Sequence, residues 1–133
     1  MEIAIFLGLG ILIILLGVVF LCFRKKVSLP SDFATRTIHQ IKNTHNLDPA
    51  HALLESHKIF VSALETLFPN QKNMTAAETI SKIAPRFTNE HDIWKFHRIR
   101  NKIAHEPGIR ISYEDSHAAR QAFIRALRSV TKS

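Results

Sequence analysis

Arg100-Asn101-Lys102-Ile103-Ala104-His105, followed at once by Glu106-Pro107-Gly108, sets a guanidinium, an amide and an imidazole near the end of one amphipathic segment. These groups suit metal-free cleavage of a phosphodiester. Such a reaction needs a base for the attacking 2′-hydroxyl, an acid for the departing 5′-oxygen, and cationic donors for the phosphorane. Imidazole titrates near neutrality and can move the proton, an effect of roughly 10²–10⁴ in rate. The planar fork of arginine donates two parallel hydrogen bonds to a phosphate and stabilises its developing charge. Asn101 can orient either neighbour by hydrogen bonding. A plainer use exists, in which an arginine and a histidine at a helix end only complement the negative end of the helix dipole.

Arg100 and His105 are five residues apart. On a continuous helix they point about 140° apart, because each residue advances roughly 100°. They converge only if His105 lies at a frayed end or in the turn, and Pro107-Gly108 is expected to make such an end. His97 precedes Arg100 by one turn and is either a neighbour of the same cleft or a packed histidine. Lys95, Arg98 and Lys102 recur at helical spacing and can line an RNA backbone, as can Arg110 beyond the turn; a solvated face is the simpler use of each. Trp94 and Phe96 are better suited to core packing than to base stacking.

The Arg-polar-x3-His pattern in RNKIAH resembles the signature of the HEPN family, small helical bundles that include RNA-cleaving toxins and nuclease domains. The resemblance spans residues 32 to 131 loosely and is specific at these few positions. It implies that Arg100 binds the scissile phosphate, that His105 transfers the proton, and that Asn101 is the polar residue following the arginine. It also implies a homodimer pairing two motifs in one cleft, RNA as substrate, and a 2′,3′-cyclic phosphate product. A toxin or defence setting, with an antitoxin or other protein partner, follows from the same likeness. Some similar domains bind without cutting, so a non-catalytic membrane-tethered module for RNA, nucleotide or protein stands beside the nuclease reading. A helical adaptor with an apolar groove is the third.

The elements that must position these residues read as helices. Segment A spans about Asp32 to His45. Asp48-Pro49 supplies an N-cap and a first-turn proline for segment B, which runs to about Phe68 with Leu53, Leu54, Phe60, Val61, Leu64, Leu67 and Phe68 in its stripe. Thr75 with Glu78 forms a capping box for the short segment C, which stops at Ala84-Pro85. Segment D starts near Thr88 or Asn89 and ends about His105, where Pro107 and Gly108 break the helix. Ser112 with Asp115 opens segment E. The expected architecture is all-α: a single N-terminal transmembrane helix followed by an antiparallel, HEPN-like bundle of four to five helices.

Ile3 to Phe23 is apolar or glycine throughout. Its 21 residues reach roughly 31 Å as a helix, enough to cross a bilayer core. No basic residue precedes it, and Arg24-Lys25-Lys26 follows. That flank argues for an uncleaved single-pass anchor in the cell membrane with the C-terminal domain cytoplasmic. The expected organisation is an anchor with its basic flank over residues 1–26, a linker over 27–31, and the bundle over 32–133. Gly8, Gly10 and Gly17 form no GxxxG pair. Cys22 is the sole cysteine, which rules out an internal disulfide.

The chain of 133 residues has a formal charge of +7. Removing Arg24, Lys25 and Lys26 from its eighteen basic residues and Glu2 from its eleven acidic ones leaves fifteen against ten. This surplus favours anionic lipid or nucleic acid as a neighbour. The histidines at 39, 45, 51 and 57 recur every six residues, which puts successive ones on different helix faces. No metal motif is present, and Gly108 is the only glycine after the anchor, so no P-loop exists. We expect neither metal nor cofactor.

Overall fold

The structure, a computed structural model, describes residues 2–23 and 26–133, and within the first helix the side chains of Gly8 and 10–19. It is helical, with α1 at Glu2–Phe23, α2 at Ser31–Asn43, α3 at Pro49–Glu65, α4 at Ala76–Ile83, α5 at Glu90–His105 and α6 at Tyr113–Ser129. Single 3-10 turns follow α2, at Thr44–Asn46, and α4, at Ala84–Arg86. Among the described residues the only β pairing is an isolated parallel bridge between Leu29 and Thr131.

The helix starts follow local chemistry. Asp48 accepts from the backbone N–H groups of Ala50 and His51, and Pro49 occupies the first turn, where no N–H is needed. Thr75 Oγ1 accepts from the Glu78 N–H at 3.2 Å, while the Glu78 carboxylate accepts from the Thr75 N–H at 2.7 Å. Ser112 Oγ caps α6 by accepting from the Asp115 N–H. Two boundaries differ from expectation. Helix α3 stops at Glu65 and continues to Phe68 only as turns, since Pro69 disfavours helical backbone before it. Asn89 does not cap α5 with its side chain; its Nδ2 crosses to the Ala122 carbonyl at 3.0 Å.

Helix α3 lies at the centre and packs against α2, α4, α5 and α6. Its Leu53, Phe60 and Leu64 are fully buried, with Ile41 from α2, Ile80 from α4, Ile93 from α5 and Phe123 and Leu127 from α6. Phe60 stacks on Phe123 with ring centroids 4.9 Å apart. Each such side chain contributes about 1.5–3 kcal/mol by leaving water. Phe96 joins this core and Trp94 packs against it, as core packing requires.

The segment expected as a linker is docked at its centre. Leu29 is fully buried, its N–H donates to the Val130 carbonyl, and its carbonyl accepts from the Lys132 N–H, both at 2.8 Å. Arg86 reaches across to the Val27 carbonyl and the Ser28 hydroxyl.

Among the described residues no helix is long and apolar enough to cross a membrane. The expected span Ile3 to Phe23 lies partly outside the described side chains, and Arg24 and Lys25 of its basic flank lie outside the described residues altogether. The backbone of α1 is nonetheless helical for 22 residues. In its described middle, Ile11 through Leu16, Val18 and Val19 are exposed, and nothing approaches a Cβ position at Gly8, Gly10 or Gly17. The described middle of this helix is therefore no part of the bundle core.

Candidate functional site

Helix α5 carries the motif through its last turn and a half. The Glu106 N–H donates to the Lys102 carbonyl at 2.8 Å, which closes the turn containing His105. Glu106 is extended before Pro107, and Gly108 takes φ +83°. His105 is thus helical, and the condition for meeting Arg100 within one chain is absent. Arg98, Lys102 and His105 follow at spacings of four and three, so they share one face. Lys95 lies one turn earlier, its ammonium 5.1 Å from the Phe96 ring centre. Lys95, Arg98, Lys102, His105 and, past the turn, Arg110 are all exposed. Arg100 lies on the opposite side, half-buried, towards Ile93 and Phe96.

A chain of polar contacts holds Arg100. Its Nη1 donates to Asn101 Oδ1 at 3.1 Å. Asn101 Nδ2 lies 3.2 Å from His97 Nε2, and His97 Nδ1 lies 3.0 Å from His57 Nε2. The direction of every hydrogen follows from one fact: a guanidinium has no acceptor. Asn101 must present oxygen to Arg100 and therefore its amide hydrogens to His97. His97 Nε2 must accept, so Nδ1 carries the hydrogen and donates to His57. His57 accepts on Nε2 and keeps its own hydrogen on Nδ1.

Both imidazoles are buried, His57 at 2 % exposure and His97 at 7 %. Burial pushes His57 down to about 3, and the nearby His97 and Arg100 charges add to the shift. Burial also lowers His97, with Arg100 and then Arg98 acting in the same direction. Both rings are thus neutral near pH 7, as the hydrogen-bond order demands. Among the described residues no carboxylate pairs with Arg100, so the guanidinium keeps donors beyond the one Asn101 uses.

By sequence alone His97 is an optional neighbour and His57 one of a spaced series. The structure joins them to Arg100 and Asn101. The available signal was phase: His57 sits four residues after Leu53 and three before Phe60, within the apolar stripe of α3. The other histidines of that series, His39, His45 and His51, are exposed. Comparison with family models, curated proteins and solved structures finds no match to this chain.

Proposed function

We propose that the chain is a membrane-anchored, HEPN-like endoribonuclease that cuts without a metal and acts as a homodimer. The observation that carries this reading is Arg100: a guanidinium held by Asn101 against a buried histidine pair, with no carboxylate among the described residues to neutralise it. Such a group is organised for an oxyanion. His105 supplies the proton transfer, and the stripe Lys95, Arg98 and Lys102 tracks the RNA backbone. Because Arg100 and His105 diverge about one helix, a working centre combines Arg100 of one protomer with His105 of its partner. The attacking 2′-oxygen forms a bond to phosphorus as the 5′-oxygen leaves, giving a 2′,3′-cyclic phosphate.

Helix α1 crosses the cell membrane once in this reading and leaves the bundle in the cytoplasm. A helix of 22 residues, about 33 Å long, apolar or glycine after Glu2 and exposed along its described middle, supports it. A toxin or defence role, with an antitoxin as protein partner, belongs to the same proposal.

The test is cleavage of labelled single-stranded RNA in EDTA by the full chain in nanodiscs, beside His105→Ala. Cutting that the variant loses, with cyclic phosphate ends, supports the reading. Equal cutting by both removes His105 from the chemistry. The divergence of Arg100 and His105 favours a second reading, a tethered module that binds RNA or nucleotide without cutting. Absence of cutting by a confirmed dimer, with RNA affinity that survives His105→Ala, selects it.

A further inference from the structure

Arg120 poses a separate problem. It sits in the middle of α6 at 4 % exposure, and its Nε is buried with no hydrogen-bond partner. Among the described residues no carboxylate pairs with it. Arginine cannot relieve burial by giving up its proton. A buried guanidinium with no counter-charge is destabilising, so an anion that reaches Arg120 is favoured there. Ser116 Oγ, one turn earlier on α6, is also buried without a partner.

Arg120 lines a cavity of about 250 Å³ between the end of α2, the following 3-10 turn and the first half of α6. Lys42, His45, Tyr113, His117 and Ile124 share it, and no acidic residue does. His45 Nδ1 donates to the Lys42 carbonyl at 2.9 Å, which fixes its ring against the rim. Tyr113 stacks on His117 with centroids 6.4 Å apart. No residue of α5 lines the cavity, so it is separate from the Arg100 centre.

We propose that this cavity binds the oxyanion of a small phosphate monoester. The guanidinium of Arg120 and the ammonium of Lys42 provide charge-assisted donors. The imidazole of His117 can turn a further N–H towards the anion. Tyr113 and Ile124 form an aromatic and aliphatic wall for the organic part. The volume is below the roughly 300–1,000 Å³ typical of drug-sized ligands, so it fits a phosphate with a small substituent. The site does not depend on ribonuclease activity.

The experiment uses the full chain in non-ionic maltoside micelles, with melting temperature and calorimetric titration as readouts. Inorganic phosphate and AMP are each added against sodium chloride of equal ionic strength. The expected result is a saturable rise in melting temperature with both phosphates. Lys42→Gln and His117→Gln weaken binding on the order of tenfold, and Arg120→Gln removes it. Lys42 and His117 lie at the rim, so their variants decide the matter if Arg120→Gln does not fold. Tighter binding of AMP than of phosphate places the nucleoside on the Tyr113 wall; equal binding limits recognition to the phosphate. No rise beyond chloride, or a rise unchanged in both rim variants, overturns the proposal. So does binding of a 5′-phosphorylated RNA with none of AMP or phosphate, which assigns the phosphate to a nucleic acid.

Discussion

His97 donates through Nδ1 to His57 Nε2 at 3.0 Å, joining α5 to α3 across forty residues of sequence. The pair is the buried end of a chain whose outer end is the half-buried Arg100 guanidinium. Its tautomers are set by Arg100, since only an oxygen of Asn101 can face that group.

Acid should loosen the bundle through this pair. His57 titrates near 3 when folded and near 6.5 in the unfolded chain, and His97 is lowered too. The unfolded state therefore binds more protons below about pH 6.5, and stability falls as pH drops from there towards 3. His57 alone gives a slope approaching ~1.4 kcal/mol per pH unit in that window. Urea midpoints at pH 7.5, 6.5, 5.5 and 4.5 measure it, and His57→Gln should flatten the curve. An equal slope in that variant would show that His57 is not the group responsible.

Asn101→Ala removes the acceptor for Arg100 and the donor for His97 together. Stability should fall by roughly 1–3 kcal/mol as the buried imidazole loses its partner. RNA cleavage should fall roughly 10- to 100-fold through loss of Arg100 positioning. Denaturation and single-turnover cleavage on the same preparation separate the two effects. Full activity in a destabilised variant would confine Asn101 to the fold.

The proposed pairing across protomers has a mixing signature. Arg100→Ala and His105→Ala should each be inactive alone. Mixed one to one and allowed to exchange, they should regain about a quarter of wild-type activity, since half the dimers are mixed and each rebuilds one of two centres. A mixture as inactive as its components would place both residues in one protomer's site.

Gly108→Ala should cost roughly 1–2 kcal/mol, from backbone alone. The glycine holds φ +83°, and a Cβ there meets nothing within 4 Å. Thermal denaturation reads the loss. A larger loss would reveal a contact that the open surroundings do not provide.

Features written in adjacent residues were legible from the sequence. The Thr75–Glu78 box, the Asp48-Pro49 start and the Pro107-Gly108 stop each depend on three or four neighbouring residues. Leu67 and Phe68 misled about the end of α3, because they pack like stripe residues while following it in turns. Asn89 misled for another reason: a capping residue type was drawn to a carbonyl on α6. The His57–His97 contact and the burial of Arg120 depend on which helices meet, and no local spacing encodes that. Arg100, Asn101 and His105 were legible as residue types, but their divergence about the axis depended on whether the helix reached His105.

The Leu29 clamp has a bearing on how RNA would arrive. Leu29 is fastened beside Val130, just past the end of α6, and Thr88, just before α5, meets Ser129 there. Helix α5 leads away from that end for 16 residues, or about 24 Å, before it reaches His105. If α1 is seated in lipid, the Arg100–His105 motif stands towards the far pole of the bundle. It then lies beyond the screening length of about 8 Å over which lipid headgroup charge is felt at physiological salt. On the proposed function, negatively charged RNA reaches it without approaching the bilayer, and the lipid surface restricts where the proposed nuclease acts without competing for its cationic face.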